Sequence, residues 1–219
     1  MNAVLLLCGT LFYLLVEWNN PDTLGREGAN FGTKLLGAFF QSVTMRTAGF
    51  NSVDLMGLTG ASKLFSSMLM FIGASPVSTG GGVKTTTMAA LLLIVYGVLR
   101  GRTDTQVFRR KLPVDLVRRA LSIAFISFAM TMACTMALTL CEQDVVSFID
   151  LLFEASSAVG TVGVSAVGSP NLHIGSRIFL IPAMYLGRVG PMTLALVLAA
   201  KLGKSDNRIH YPEEQILIG

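Results

Sequence analysis

Charge is scarce in this sequence. Of 219 residues, 14% are Asp, Glu, Lys or Arg, against 52% hydrophobic; an ordinary soluble domain carries roughly 25% charge. That shortfall excludes a disordered chain and leaves too little polar surface to cover a water-soluble globule of this size. Histidine is confined to His173 and His210, with no ligand spacing between them. The cysteines, Cys8, Cys134 and Cys141, lie in apolar runs without a CxxC pair, so neither a disulfide framework nor a zinc site is expected; they read as small buried hydrophobes. No nucleophile–base constellation is present, which argues against an enzyme. The pI of about 9.1 is too mild to point to nucleic acid. What remains is apolar: the mean hydropathy is +0.63.

A spanning helix needs about 20 apolar residues. Ala120 to Cys141 is uncharged, bracketed by Arg118 and Arg119 on one side and Glu142 on the other, and reads as a transmembrane helix. Ile178 to Ala200 is a second span with one mid-span charge, Arg188. Leu64 to Val83 and Thr85 to Leu99 form an apolar stretch broken at Gly73-Ala-Ser-Pro76 and at Thr79-Gly-Gly-Gly-Val-Lys84. Met1 to Val16 is short for a span and lacks the basic start and cleavage site of a signal peptide; it reads as a helix whose beginning is missing. Basic residues mark the cytoplasmic side of a membrane protein. Arg100, Arg102, Arg109, Arg110, Lys111, Arg118 and Arg119 crowd residues 100–119, and Lys201, Lys204 and Arg208 lie in the tail. These regions are expected inside, with residues 17–34 and 142–150 outside.

The chain repeats itself. At an offset of 114, Phe39 falls on Phe153, Ser42 on Ser156, Thr47 on Thr161, Gly49 on Gly163, and Met70-Phe-Ile-Gly73 on Met184-Tyr-Leu-Gly187. Both units run outward and then inward, so the repeats are parallel rather than the inverted pair of many secondary transporters. Between the spans lie Leu35 to Met45 and Asp150 to Val159, each about half the length that crosses a bilayer at 1.5 Å per residue. Ser147-Phe-Ile-Asp150 resembles a capping box at the start of the second. Each is followed by hydroxyl-and-glycine backbone, Thr47-Ala-Gly-Phe-Asn51 and Thr161-Val-Gly-Val-Ser165.

This is the layout of a re-entrant pore loop; a pair of Gly-rich external loops is the alternative. Irregular backbone at membrane depth survives only against protein or water, and bare carbonyls there can replace the hydration shell of a cation. Carbonyls and hydroxyls without carboxylates suit a monovalent ion better than calcium. The expected filter is Thr47, Ala48, Gly49, Phe50, Thr161, Val162, Gly163 and Val164. Asp150 and Glu154 read either as cation concentrators at its mouth or as N-terminal complements of the short helix's dipole. Ser78 to Thr86 tempts a P-loop assignment, but GxxxxGK[ST] needs glycines where Ser78 and Val83 stand.

Thr161-Val-Gly-Val164 resembles the Thr-Val-Gly-Tyr filter of potassium channels. The wider set of motifs resembles the Trk/Ktr/HKT superfamily of potassium transporters, in particular the Ktr-type membrane subunit. The residues that carry it are Thr44-Met-Arg-Thr-Ala-Gly-Phe-Asn51, Gly73 to Thr86, Ser156 to Ser165, Gly187-Arg-Val-Gly-Pro191 and the tail from Tyr211 to Gly219. The resemblance implies an all-α membrane protein of helix–pore loop–helix repeats with re-entrant pore helices and, in the first unit, a broken second helix. The family has four repeats around one pore; this chain has two and looks like the third (residues 1–100) and fourth (115–203), with a cytoplasmic basic loop at 101–114 and a cytoplasmic tail at 204–219.

The implied function is potassium uptake across the cell membrane, with sodium as a further transported or coupling ion and no covalently bound cofactor. It further implies Arg188 as an electrostatic barrier inside the filter and Gly80, Gly81, Gly82 and Lys84 as a gating loop. The implied partners are the missing N-terminal half or a second copy, a homodimer mate, a cytosolic nucleotide-binding regulatory subunit and the lipid bilayer. The alternatives are a broken-helix secondary transporter for a small solute and, more remotely, a membrane ATPase or kinase fragment.

Overall fold

The computed structural model describes residues 1–190 apart from 27, 77, 79, 102–105, 108–109, 112 and 144, and also residue 193. Helices carry the fold: α1 (Asn2–Val16), α2 (Phe31–Thr44), α3 (Gly60–Phe71), α4 (Thr85–Leu99), α5 (Val114–Glu142), α6 (Phe148–Gly160) and α7 (Ile174–Val189). The expected all-α class holds; the strands among the described residues are a two-residue antiparallel pair in the basic loop, β1 (Gln106–Val107) and β2 (Arg110–Lys111).

Helix α5 contains the expected span and extends it, with Leu116–Glu142 long and apolar enough to cross a membrane. Its hydroxyls do not compete with that role. Thr131, Thr135 and Thr139 each donate to the carbonyl four residues back, on Ser127, Thr131 and Thr135, at 2.9–3.0 Å. These three threonine hydroxyls are satisfied within the helix, as a low-dielectric setting demands; the buried Ser127 hydroxyl has no such partner among the described residues. Left-handed Gln143 (φ 45°) ends it.

The stretch from Leu64 to Leu99 divides as its glycines and proline predict. Helix α3 stops at Phe71; α4 starts at Thr85. The intervening backbone is pinned to its own ends: Ile72 and Val83 form a parallel bridge, Val83 N donates to Phe71 O at 3.0 Å, and Thr85 N donates to Ala74 O at 3.3 Å.

Helix α7 ends at Val189, and Gly190 follows at φ 88°. Arg188 is in the last turn of α7, where a cation suits the helix dipole; of the expected span's remainder, residues 191–192 and 194–200 lie outside the described residues. One further reading changes. Cys8 is exposed on α1, whereas Cys134 is buried and Cys141 half-buried, so apolar sequence around a cysteine did not by itself place it inside.

The core has two centres. One joins Tyr13, Leu24, Ala38, Met45, Leu69 and Met70 of the first unit to Phe153, Val162 and Val164 of the second. The other lies within the second unit, around Leu138, Leu151, Val159 and Leu180. Val162 and Val164 of the second unit's loop are thus packed into the first unit's core. An ion pair joins the units as well: Lys63 Nζ on α3 meets Asp150 Oδ1 on α6 at 2.7 Å. Ser147 takes the N-cap position expected of it, but its hydroxyl makes no capping bond; Asp150, whose carboxylate would complete the box, pairs with Lys63 instead.

Each unit is closed by a carboxylate that the sequence did not single out. Glu17, at the end of α1 and 1% exposed, accepts from Thr59 N (3.1 Å) and Thr59 Oγ1 (2.7 Å) at the start of α3. Glu142, at the end of α5, accepts from His173 N (2.9 Å) and Ser176 Oγ (2.5 Å) at the start of α7. Unpaired N–H groups at a helix start bind carboxylates well.

Candidate functional site

Helices α2 and α6 each run into the hydroxyl-and-glycine backbone predicted to line a pore. Thr47 (φ 71°) and Gly49 (φ 77°) have left-handed backbone, as do Thr161 (φ 53°) and Gly163 (φ 89°). The same two-position pattern thus recurs 114 residues on. A β-branched threonine in that region is unfavourable by roughly 1–2 kcal/mol and persists only where its surroundings fix it.

The fixing contacts are visible. Thr44 Oγ1 donates to Phe50 O (2.5 Å) and accepts from Phe50 N (2.9 Å). Ser157 Oγ donates to Val164 O (2.5 Å) and accepts from Val164 N (3.1 Å). In both units a hydroxyl on the short helix clamps the residue after the glycine by both of its backbone groups. The carbonyls of Phe50 and Val164 are consequently turned toward the helix, while Phe50's side chain is 69% exposed. Sequence comparison missed the clamps because the offset of 114 pairs Thr44 with Ala158, one position from Ser157.

The loops converge. A Cβ placed on Gly49 would lie 2.6 Å from the Val162 carbonyl oxygen, and one on Gly163 would lie 3.9 Å from the Gly49 Cα. Backbone meets backbone there, which only glycine permits at position 49.

The glycine stretch lies against both turns. Gly81 N donates to Thr161 Oγ1 at 2.8 Å, and a Cβ on Gly80 would sit 2.7 Å from Thr47 Oγ1. Lys84 Nζ donates to Ser78 O (2.9 Å) and Gly80 O (2.7 Å), clipping the stretch onto itself. Gly80, Gly81, Gly82, Lys84, Gly187 and Arg188 share the wall of a cavity of about 390 Å³. A second cavity, of about 310 Å³, touches Ser157, Thr161, Gly163 and Val164. The residues expected to form filter and gate are therefore brought together.

Two acidic residues have partners within the protein. Glu154 Oε1 accepts from the Ser165 hydroxyl, from Ala166 N (2.9 Å) and from Val167 N (3.1 Å); it holds the chain that leaves the second turn. Asp150 pairs with Lys63. His173 serves as the N-cap of α7, its Nδ1 accepting from Gly175 N at 3.2 Å. A further residue escaped sequence reasoning. Arg46, between α2 and Thr47, donates to Asn2 Oδ1 (2.8 Å) and Gly73 O (3.4 Å), joining the end of the short helix to the start of the glycine stretch. Thr79, Arg102, Arg109, Pro191, Lys201, Lys204, Arg208, His210 and Tyr211 to Gly219, singled out from the sequence, lie outside the described residues.

Half-length helices ending in paired left-handed turns, packed against an apolar span, define an α-helical membrane protein built around a polar backbone site. Comparison with known proteins gives it a family. The chain belongs to the TrkH family, described as cation transport protein, whose profile matches residues 3–211. It is 36% identical over 219 residues to the Ktr system potassium uptake protein B of Bacillus subtilis (strain 168), covering 100% of this chain and 47% of that protein. It is 35% identical over 221 residues to the potassium/sodium uptake protein NtpJ of Enterococcus hirae, covering 100% and 48%. In fold it is similar to the crystal structure of the potassium transporter TrkH from Vibrio parahaemolyticus, with a TM-score of 0.68 over 93% of this chain and 43% of that one, at 20% identity. The chain spans about half the length of the curated relatives it matches.

Proposed function

We propose that this chain supplies half of a membrane pore for potassium, with sodium as a second monovalent ion. Thr47 to Phe50 and Thr161 to Val164 are two re-entrant segments of its filter. The observation that carries this reading is the meeting of two identically turned loops, backbone to backbone, at Gly49 and Gly163. A cation sheds water there onto peptide carbonyls, chiefly those of residues 47–49 and 161–163, because Phe50 and Val164 spend theirs on the clamps. The C-terminal ends of α2 and α6 add negative dipole at the same place, each worth about 0.3–1 kcal/mol.

Past the filter the ion meets opposition. Lys84 and Arg188 line the adjoining cavity, and a like charge about 4 Å away costs roughly 4 kcal/mol at an effective dielectric of 20. Movement of Gly80 to Gly82, with Lys84 and Arg188, opens or closes that route. The repeats occupy 1–100 and 115–203, with the basic loop (101–114) and tail (204–219) cytoplasmic. Two further repeats, or a second copy, complete the ring; a homodimer mate and a nucleotide-binding regulatory subunit complete the assembly.

Complementation of potassium-uptake-deficient cells tests the reading. The chain joined to two upstream repeats restores growth at low potassium, the chain alone does not, and Gly163→Ser in the joined form admits sodium. Absence of rescue by the joined form overturns the transport reading; unchanged ion preference in Gly163→Ser overturns the filter.

A further inference from the structure

We propose that the seam between the two units is a lateral binding site for a lipid acyl chain, entered from the bilayer and bordering the break between α3 and α4. It rests on the membrane placement of α5, not on the filter. A cavity of about 390 Å³ lies where α3, α4, α5 and α6 meet, walled by Met68, Phe71, Ile72, Phe128, Met132 and Leu152 among others. That is within the size of a ligand site, roughly 300–1,000 Å³.

Its chemistry is that of hydrocarbon. Two of the three hydroxyls that border it are engaged elsewhere: Ser67 Oγ donates to Lys63 O at 3.0 Å and Thr131 Oγ1 to Ser127 O at 3.0 Å, which leaves Ser156 as the third among otherwise apolar neighbours. Among the described residues, no charged one lines it. Met68 and Phe128 are more than half exposed at its mouth, so it opens sideways rather than along the helices.

Depth selects the occupant. The span runs from Leu116 to Glu142, and its two contributions nearest the mouth, Phe128 and Met132, straddle its middle. At 1.5 Å per residue Phe128 is about 18 Å from one end and Met132 about 15 Å from the other. Half of a hydrocarbon core of about 30 Å is 15 Å, so the mouth faces the tails and no headgroup reaches it. A partner peptide entering at this depth would need every backbone group satisfied; an acyl chain has none to satisfy. Ile72, whose bridge to Val83 closes the glycine stretch, is part of the wall, so an occupant touches the hinge.

The test uses the full chain in phosphatidylcholine vesicles carrying a photoreactive diazirine, either in mid-acyl chain or at the headgroup. Mid-chain probe is expected to label Met68, Phe71 and Met132 at least five-fold above Phe125 and Met136, exposed residues of α5 outside the cavity, and the headgroup probe to label none of the three. Ser67→Phe, which fills the cavity, is expected to remove the excess; Met132→Phe, narrowing the mouth, gives the same readout from a second position. Equal labelling of all exposed α5 residues, or an excess that survives both fillings, overturns the site. So does its disappearance when the chain is joined to two upstream repeats, since protein rather than lipid then covers the seam. Failure of the joined form to transport potassium leaves this labelling untouched, so the two readings fail separately.

Discussion

Glu17 is the residue whose ionisation the fold most plainly arranges. Burial alone raises its carboxyl, but hydrogen bonds from Ser62, Thr23, Thr59 and Asn20 outweigh that and hold it below its ordinary value of 4.5. A carboxyl depressed on folding contributes stability that is fully present above the unfolded value and is lost as pH falls through the folded one. Thermal unfolding in detergent is therefore expected to be flat from neutrality down to about pH 5.5, within a unit or so of the unfolded value, and to weaken below that. Glu17→Gln should be less stable at pH 7 and lose less on acidification; an identical slope in both proteins would refute the assignment. At the proposed filter, two glycines that look alike in sequence should differ. Gly49→Ala drives a Cβ to 2.6 Å from the Val162 carbonyl and carries left-handed strain. Gly163→Ala carries the strain of about 1–2 kcal/mol with nothing nearer than 3.9 Å. Gly49→Ala is expected to lower the melting temperature more, and Gly163→Ala to change ion preference at smaller cost in stability.

At the scale of elements, the clamps of Thr44 and Ser157 are what keep the short helices and their turns together. Thr44→Val or Ser157→Ala strands a backbone N–H and C=O, which costs about 1–3 kcal/mol. The joined transporter is expected to lose discrimination between potassium and sodium before it loses flux, read by uptake of each ion. The glycine stretch gives a sharper contrast. A Cβ on Gly81 meets Thr161 Oγ1 at 2.9 Å and the carbonyls of Gly160 and Gly187 at 3.0 Å, whereas one on Gly97, within α4, meets nothing. Gly81→Ala should reduce uptake ten-fold or more; Gly97→Ala should leave it unchanged. Most of these elements were legible from residues alone. The uncharged run before Glu142, the break at Gly73 to Lys84 and the half-length of α2 and α6 follow from apolar spacing and glycine. The terminus of α7 was not, because Arg188 and Gly190 sit in a run whose hydropathy continues on both sides. Nor were the partners of Asp150 and Glu154, since a carboxylate at a helix start reads the same whether it meets a dipole, a lysine or a loop.

At the scale of the molecule, the offset of 114 located both turns because their geometry is fixed by residue type: threonine and glycine at the same two positions. It could not find the Glu17 and Glu142 pair. Those are 125 residues apart, and the difference of 11 falls in the first helices, whose sequences diverge while the job at their ends persists. Co-expression of this chain with a separately encoded upstream pair of repeats is expected to restore potassium uptake to within ten-fold of the joined form, measured as initial rates; failure despite stable membrane insertion of both would mean the halves must be covalently continuous. The carboxylate closures bear on this directly. Each latch is formed and completed inside its own unit, so a cut, a circular rearrangement or a gene fusion between residues 101 and 113 severs neither. The molecule is in that sense already perforated, and shuffling one module against a foreign counterpart demands new complementarity only along the shared seam.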